Sequence, residues 1–338
     1  MAKAMRRMVI VGSGAEAIAV ASLGAKGGFD VVVVEEDSAS AERFAVFLKQ
    51  VGGEAVQVTA EIGVLKSTEI VVEATDLPQA ARMDFHRNLE AQVSGNALIC
   101  CVDREATLES PLGNCVGLNL AAPAHLRRLA EITPDRQGNC EEAVVLAKEL
   151  GRKAIICPRD SFLLSASLEQ AWYASLEYLQ MRGAVPHEID EALVSEGFAM
   201  GPHEAQDLIG TEIAYADRRR RGDDSQLIAD RMVEEGRLGK KVGVGWYRYP
   251  GGGGAVIDPL VEDLIREEAH FALVEQRSFS DAEIVGFLRQ ALFEAGRKTG
   301  ASSELIETVA IHGLGLPPGW INWSDQSGSR NQPGKNSI

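Results

Sequence analysis

A glycine-rich turn between a short apolar run and a helical segment is the feature that most constrains how this chain can fold. Met8–Val11 has the character of a buried strand, and the sequence GSGAEA at residues 12–17 leads into an alanine-rich helical pattern from about Ala15 to Ala25. The next apolar run, Asp30–Val34, is nearly all valine, which is typical of a parallel strand buried on both faces. This order of elements predicts a βαβ unit.

The same alternation continues through the first half of the chain. Helical patterns occur, for example, at Pro78–Val93 and Gly138–Leu150. The strand-like runs that they separate are Ile70–Ala74, Ala97–Val102, Cys115–Leu120 and Ala154–Cys157. We therefore predict an α/β fold that begins with a Rossmann domain, a doubly wound parallel sheet, over residues 1–158.

The second half is predicted to be an all-α domain with a duplicated helical unit. Strand-like runs nearly vanish after Pro158, and Phe162–Met181 is long, apolar and helical. We expect a first helical unit over residues 159–250, a second over 255–328, and a polar, disordered tail over 329–338.

The duplication is visible as a weak internal repeat. EYLQMRG at 177–183 is followed by GFAMGP at 197–202, and EAGRKTG at 294–300 is followed in the same way by GLGLPPG at 313–319. If the two helical units pack on each other within one chain, they would form an internal pseudo-dimer. We therefore expect a monomer or a weak homodimer.

The glycine turn also predicts a dinucleotide site, most simply for NAD. Gly12 permits a tight turn, Gly14 allows the backbone to approach a pyrophosphate, and Ala17 takes the third position, which serves the packing of the helix on the strand. The start of the helix offers free N–H groups to the phosphates. Glu35 ends the second strand, where an acidic side chain can accept hydrogen bonds from the adenosine ribose.

Two considerations bear on that prediction. Glu36 and Asp37 follow Glu35 and would repel the 2′-phosphate of NADP, which favours NAD. The alternative is a glycine turn with a solvated acidic cluster and no nucleotide, and Glu16 places a further carboxylate in the loop.

Composition narrows the possible partners and the compartment. The net charge of −15 argues against nucleic acid or an anionic membrane as a partner. No apolar stretch is long enough to span a membrane, and no leader is recognisable, so we expect a cytoplasmic protein. The cysteines show no CxxC spacing, so we predict buried free thiols rather than disulfides or metal ligands, and no metal site.

Several longer motifs resemble the 3-hydroxyacyl-CoA dehydrogenase family, in particular the dehydrogenase portion of multifunctional β-oxidation enzymes. The likeness extends from about residue 6 to residue 328. The motifs that carry it are IVVEA (70–74), VGLNLAAPAHLRRLAEI (116–132), GFAMGPHEAQDLIG (197–210), EGRLGKKVGVGWYRY (235–249), SFSDAEI (278–284) and HGLGLPPGW (312–320). The resemblance implies an NAD-dependent oxidoreductase of fatty acid metabolism that converts 3-hydroxyacyl-CoA to 3-oxoacyl-CoA, with an acyl-CoA as its small-molecule partner.

The resemblance also assigns the site residues and shows where this chain departs from the family. Asn119 stands where such enzymes carry the histidine that takes the hydroxyl proton, and Glu131 matches the glutamate that orients that histidine. Ser165 matches a substrate-side asparagine, and the serine- and threonine-rich stretch of the family is replaced by Val102–Glu105. A carboxamide cannot take a proton near neutral pH, so the catalytic site is expected to be degenerate.

Two functional hypotheses follow. In the first, the chain is an active oxidoreductase in which Glu131 acts as the base through a water or His125 reaches the site from the next loop. In the second, it is a catalytically inactive homologue that binds NAD or an acyl-CoA. The segment from Val34 to Ile70 is also too short for the helical hairpin that helps to hold CoA in the family.

The remaining histidines are expected to have no catalytic part. His203 replaces the phenylalanine of the family's Gly-Pro-Phe loop and is predicted to lie at the surface, although it could meet a polar substrate. His86 is predicted to lie on a polar helical face.

Overall fold

The computed structural model describes residues 5–50, 53, 55–75, 77–102, 113–159 and 163–321. Its contacts divide the chain into two compact units, Met1–Ser165 (unit 1) and Ala166–Ile338 (unit 2). The division falls after Ser165, whereas the sequence analysis expects a domain boundary at residue 158. The predicted tail at 329–338 lies outside the described residues.

Unit 1 is built on one sheet of eight strands in the order β3-β2-β1-β4-β5-β6-β7-β8. The strands are β1 (Arg7–Val11), β2 (Asp30–Val34), β3 (Gln57–Thr59), β4 (Ile70–Glu73), β5 (Leu98–Cys101), β6 (Cys115–Leu120), β7 (Leu129–Thr133) and β8 (Lys153–Ile156). The helices are α1 (Ala15–Lys26), α2 (Ser38–Gln50), α3 (Gln79–Glu90) and α4 (Glu141–Glu149), with a 3₁₀ turn at Ile62–Ser67.

The valine-rich strands are buried because helices cover both faces of the sheet. Side chains of α1, α2 and α4 pack with one set of strand residues, and Leu89 of α3 packs with Leu65 and the other set. Burial of each such side chain contributes roughly 1.5–3 kcal/mol. The predicted Rossmann sheet is confirmed, with the strand order reversing between β1 and β4.

The sequence predicts a parallel sheet, and this prediction is wrong at one pair of neighbouring strands. Strand β7 runs antiparallel to β6. The link at residues 121–128 contains a turn, in which Leu126 N–H donates to the Pro123 carbonyl at 2.9 Å, and no helix. A short link without a helix suits an antiparallel pair, whereas a parallel pair needs a crossover. The resulting register places Asn119 directly opposite Glu131.

Unit 2 is mainly helical. Its helices are α5 (Leu164–Met181, which begins within unit 1), α6 (Pro186–Ser195), α7 (Pro202–Ile209), α8 (Thr211–Arg221), α9 (Leu227–Glu234), α10 (Pro259–Phe271), α11 (Asp281–Lys298) and α12 (Ser303–Val309). Short 3₁₀ turns occur at Lys240–Val242 and Pro250–Gly252, and a π turn at Ala310–Leu314. A small antiparallel pair joins β9 (Tyr247–Arg248) and β10 (Val256–Ile257), which the sequence analysis did not predict.

The predicted duplication corresponds to two helix pairs, α5 with α6 and α11 with α12. Each long helix is followed by a glycine with positive φ, Gly183 at 106° and Gly300 at 72°, which turns the chain into the shorter helix. The second pair packs on the first, as seen in the stacking of Tyr178 on Phe287 at 4.7 Å between ring centroids. The predicted all-α domain is therefore confirmed except for the short β9–β10 pair, and the division into two equivalent units stays a prediction. Among the described residues, no helix is long and apolar enough to cross a membrane.

One buried carboxylate joins two helices of unit 2. Glu177 on α5 accepts hydrogen bonds from the backbone N–H groups of Ile228 at 2.8 Å and Ala229 at 3.4 Å, at the first turn of α9. Burial raises the pKa of Glu177 to about 7, and the two backbone hydrogen bonds lower it only in part. Glu177 is therefore protonated in the folded protein at a pH where the unfolded chain has already lost that proton.

This shift makes the stability of unit 2 depend on pH through Glu177. The contribution is fully present below the unfolded pKa near 4.5 and is lost as pH rises through about 7. Because Glu177→Gln cannot ionise and still offers an acceptor, we expect it to gain stability over the wild type, on the order of 2–3 kcal/mol, between pH 5 and pH 8. Urea denaturation at both pH values measures the difference. The exposed Glu191→Gln on α6 is the control, and an equal offset for both variants would contradict the assignment.

Candidate nucleotide and substrate site

The turn after β1 packs against the end of β4 so closely that only glycine fits. Gly12 has a φ of +114°, and a Cβ at this position would lie 2.4 Å from the carbonyl oxygen of Ala74. The Gly12 N–H donates to the carbonyl of Val34 at 3.2 Å. The turn therefore lies across the carboxyl ends of three neighbouring strands, at the point where the strand order reverses.

Helix α1 begins directly after this turn with its first N–H groups free of side-chain caps. Gly14 precedes the helix in an extended conformation and has no side chain to accept from them. Ala17 is fully buried in the core between α1 and the sheet, where its methyl group takes the space of the third glycine. Uncapped N–H groups and the positive end of the helix dipole favour an anion here.

The acidic cluster after β2 has two parts. Glu35 is half-buried, and its backbone N–H donates to the Thr59 carbonyl at 3.0 Å. Asp37 accepts from the Ser40 N–H at 2.8 Å and its hydroxyl at 3.0 Å, and the backbone bond holds the pKa of Asp37 below its ordinary value. Asp37 thus caps α2 as an anion, while Glu35 stands at the strand end.

The second part of the site is centred on Glu131, a buried carboxylate on β7. Asn119 Nδ2 donates to its Oε2 at 3.4 Å, and the Ser165 N–H donates to its Oε1 at 3.1 Å. The Ser165 hydroxyl also donates to Oε2, and Cys157 Sγ lies 3.5 Å from Oε1. Burial, and then the charge of Glu131, raises the pKa of Cys157 to about 12, so its thiol remains a proton donor.

The three residues that the resemblance assigns to the substrate site therefore converge, although they come from β6, β7 and the start of α5. Four donors serve the two oxygens of Glu131, which leaves little capacity for it to act as a base. Asn119 is half-buried, and its amide carries a second N–H besides the one that Glu131 accepts. Because β1 and β6 are both parallel to the strands between them, the turn at Gly12 and Asn119 lie at the same edge of the sheet.

The chain is similar to known proteins in sequence and in fold. Residues 162–249 match the family model of the 3-hydroxyacyl-CoA dehydrogenase C-terminal domain. The peroxisomal bifunctional enzyme of Cavia porcellus is 27% identical over 286 residues, which are 75% of this chain and 39% of that enzyme.

Two solved structures share the fold over almost the whole chain. The dehydrogenase part of multifunctional enzyme 1 from C. elegans has a TM-score of 0.68 at 18% identity and covers 92% of this chain and 78% of that one. The 3-hydroxybutyryl-CoA dehydrogenase of Escherichia coli K12 has a TM-score of 0.69 at 17% identity and covers 95% and 91%. The chain is therefore similar to 3-hydroxyacyl-CoA dehydrogenases in the sequence of residues 162–249 and in its fold. It spans about two fifths of the length of the curated relatives it matches.

Two departures from the 3-hydroxyacyl-CoA dehydrogenase pattern can be compared with the structure. Between β2 and β4 the described residues form α2, β3 and the 3₁₀ turn, with no hairpin of two helices. The replaced serine- and threonine-rich stretch at 102–105 lies outside the described residues beyond Val102.

Two histidines, His203 and His86, do not lie where the sequence predicts them, whereas His125 lies on the expected loop. His203 is buried rather than at the surface, because its Nδ1 pairs with Asp190 Oδ1 at 2.7 Å. His86 is also fully buried rather than on a polar face. His125 is exposed on the β6–β7 link. The sequence could not reveal these environments, because the partners are distant in the chain.

The cysteine prediction is wrong for two of the five residues. Cys101 and Cys115 form a disulfide between the neighbouring strands β5 and β6, whereas Cys100, Cys140 and Cys157 are free and buried. The two sulfurs meet because Ile99, on the same face of β5 as Cys101, is the register partner of Cys115. Spacing along the sequence carries no signal for such a pair.

Because a Cβ at residue 12 would collide with the backbone of β4, Gly12→Ala tests the turn directly. Positive φ and the clash together predict a loss of at least about 2 kcal/mol of unfolding free energy. Gly63→Ala is the matched control, since no atom lies within 4 Å of its added methyl group. Thermal and chemical denaturation of both variants measure the difference in their unfolding free energy. Equal stability of Gly12→Ala and Gly63→Ala would show that the turn is not packed against β4 in this way.

Proposed function

We propose that this chain is an NAD-dependent oxidoreductase that interconverts 3-hydroxyacyl and 3-oxoacyl thioesters, most simply CoA esters of fatty acid metabolism. The observation that carries the proposal is the turn at Gly12, in which glycine alone fits and the first N–H groups of α1 are uncapped, on a chain similar to a family that is generally NAD-dependent. Acyl-CoA as the partner and the cytoplasm as the compartment belong to the same proposal.

The residues of the turn fit a dinucleotide. Gly12 and Gly14 present backbone N–H groups without side chains in the way, and Ala17 keeps α1 tight against the sheet. Glu35 would accept hydrogen bonds from the adenosine ribose, and the anions nearby disfavour a 2′-phosphate. NAD, when bound, accepts or supplies the hydride.

Asn119 determines which part of the reaction the side chains of this chain can assist besides hydride transfer to or from NAD. Its amide cannot hold a proton taken from a hydroxyl group, but its second N–H can donate to a substrate oxygen. Such a donor polarises a 3-oxo group, but the oxygen that receives negative charge after hydride transfer must take its proton from water, because the amide cannot supply one. The same transition state serves oxidation and reduction, so we expect slow turnover in both directions.

Glu131 and Ser165 position this amide. The carboxylate of Glu131 holds one N–H of Asn119 at 3.4 Å and is itself fixed by the hydroxyl and backbone N–H of Ser165. Glu131 and Asn119 face each other from neighbouring strands, so the carboxylate orients the side chain opposite it. In this chain that side chain is an amide rather than an imidazole.

A second candidate function is binding without turnover. The same observation favours it, because a carboxylate that accepts from four donors and an amide that cannot take a proton leave no base among these residues. A chain of this kind would bind NAD or an acyl-CoA and leave both unchanged.

Steady-state oxidation of NADH with acetoacetyl-CoA separates the two candidates. We expect measurable turnover for the wild type, and complete absence of turnover with intact NADH binding would instead support the binding function. Asn119→His restores a general base next to Glu131 and is expected to raise kcat by about 10²–10⁴ in the oxidation direction.

The pH profile provides the control for that variant. Asn119→His should gain a dependence on a group that titrates near the ordinary histidine pKa of about 6.5, which the wild type lacks. Asn119→Ala removes both the donor and the base and should be slower than the wild type. If the histidine variant is no faster than the alanine variant, Asn119 does not face the reacting carbon.

A further inference from the structure

A second group of reactive side chains lies inside unit 1 and shares no residue with the Glu131 site. Glu73 ends β4, Cys101 ends β5, Cys115 begins β6, and His86 projects from α3 onto the same face of the sheet. All four residues are fully buried. They are surrounded by the apolar side chains of this layer, among them Leu89.

The polar atoms of this group are close together. His86 Nε2 lies 3.2 Å from Glu73 Oε2 and 3.7 Å from Cys101 Sγ. One ligand atom from each of Glu73, His86 and Cys101 lies within 4.8 Å of the others. Cys115 places a second sulfur beside that of Cys101, to which it is bonded.

An apolar core has no need of such a group. Each buried polar atom costs free energy unless it is paired, and a phenylalanine or leucine at residue 86 would fill the same layer without that cost. His86 Nδ1 has no hydrogen-bond partner among the described residues. The Oε1 atom of Glu73 accepts from the Thr75 N–H at 2.9 Å. Its Oε2 faces both His86 Nε2 at 3.2 Å and the Arg82 guanidinium, whose Nε lies 3.8 Å away.

The donor types and their spacing match a zinc site. Zn²⁺ takes thiolate sulfur at about 2.3 Å and imidazole nitrogen or carboxylate oxygen at about 2.0–2.2 Å in tetrahedral geometry, so its ligand atoms lie roughly 3.4–3.8 Å apart. The separations of 3.2 and 3.7 Å around His86 Nε2 are close to this range. We propose that Glu73, His86, Cys101 and Cys115 form a buried structural Zn²⁺ site in the reduced protein, and that the Cys101–Cys115 disulfide is its metal-free form.

The two forms are related by a balanced exchange of two electrons. When a small-molecule disulfide oxidises the zinc form, the two thiolates lose one electron each and form the Cys101–Cys115 bond. The oxidant takes up both electrons and becomes two thiolates, and Zn²⁺ leaves with its charge unchanged. In the reverse direction a dithiol reduces the bond, and Zn²⁺ binding displaces the two thiol protons.

Metal binding by the full-length chain tests the proposal without reference to NAD or turnover. The protein is reduced with a phosphine until all five cysteines can be alkylated after denaturation, loaded with ZnCl₂ and desalted. We expect one Zn²⁺ per chain in the reduced protein and none after treatment with oxidised glutathione. Co²⁺ in place of Zn²⁺ should give the intense near-ultraviolet absorption of a metal–thiolate bond.

Matched variants on one strand provide the control. Cys101→Ser and Cys100→Ser both replace a buried sulfur by oxygen, but Cys100 belongs to the core on the opposite face of the sheet. We expect Cys101→Ser and His86→Phe to compete for Zn²⁺ against a chromophoric chelator at least about tenfold more weakly, and Cys100→Ser to be unchanged.

Three outcomes would overturn the proposal. The first is reduced wild-type protein that retains no Zn²⁺, and the second is a Co²⁺ form without thiolate absorption. The third is equal loss of affinity in Cys100→Ser and Cys101→Ser. The cobalt spectrum of the wild type decides the question even where a variant does not fold.

Discussion

The close packing of Gly12 against the carbonyl of Ala74 is the contact on which the rest of unit 1 depends. It requires glycine at residue 12, because the space between the turn and β4 is too small for any Cβ. The same contact fixes where α1 begins. The buried methyl group of Ala17 then packs that helix against the sheet. As a result, a set of uncapped N–H groups stands over the central strands, at the edge where Glu35 follows β2.

The antiparallel strand β7 positions the second group of polar side chains in unit 1, which surrounds Glu131. Its register brings Glu131 opposite Asn119, and the start of α5 brings Ser165 to the same carboxylate. A buried carboxylate needs donors, and three of the four donors here come from Asn119 and Ser165, with Cys157 as the fourth. The amide of Asn119 therefore supplies one of the hydrogen bonds that this buried carboxylate needs.

Much of this could be predicted from the sequence. Valine-rich runs and the glycine turn carry strong local signals, so the strands from β1 to β6 other than β3, and the packing role of Ala17, followed from periodicity and residue size. The three-residue β3 is too short to give such a signal. The strand β7 was missed because Glu131 interrupts a short apolar run, and its burial depends on partners that only the fold supplies. The Cys101–Cys115 pair and the burial of His86 and His203 arise from contacts between separate elements, which no spacing encodes.

The central claim is that the start of α1, with Glu35 opposite, binds the diphosphate and ribose of a dinucleotide. Calorimetric titration of the full-length wild type with NADH and, separately, with NADPH tests it most directly. The account predicts saturable binding of one NADH per chain and binding of NADPH that is at least about tenfold weaker, because the acidic residues after β2 repel its 2′-phosphate. Absence of heat with NADH, or equal affinity for the two nucleotides, would contradict it.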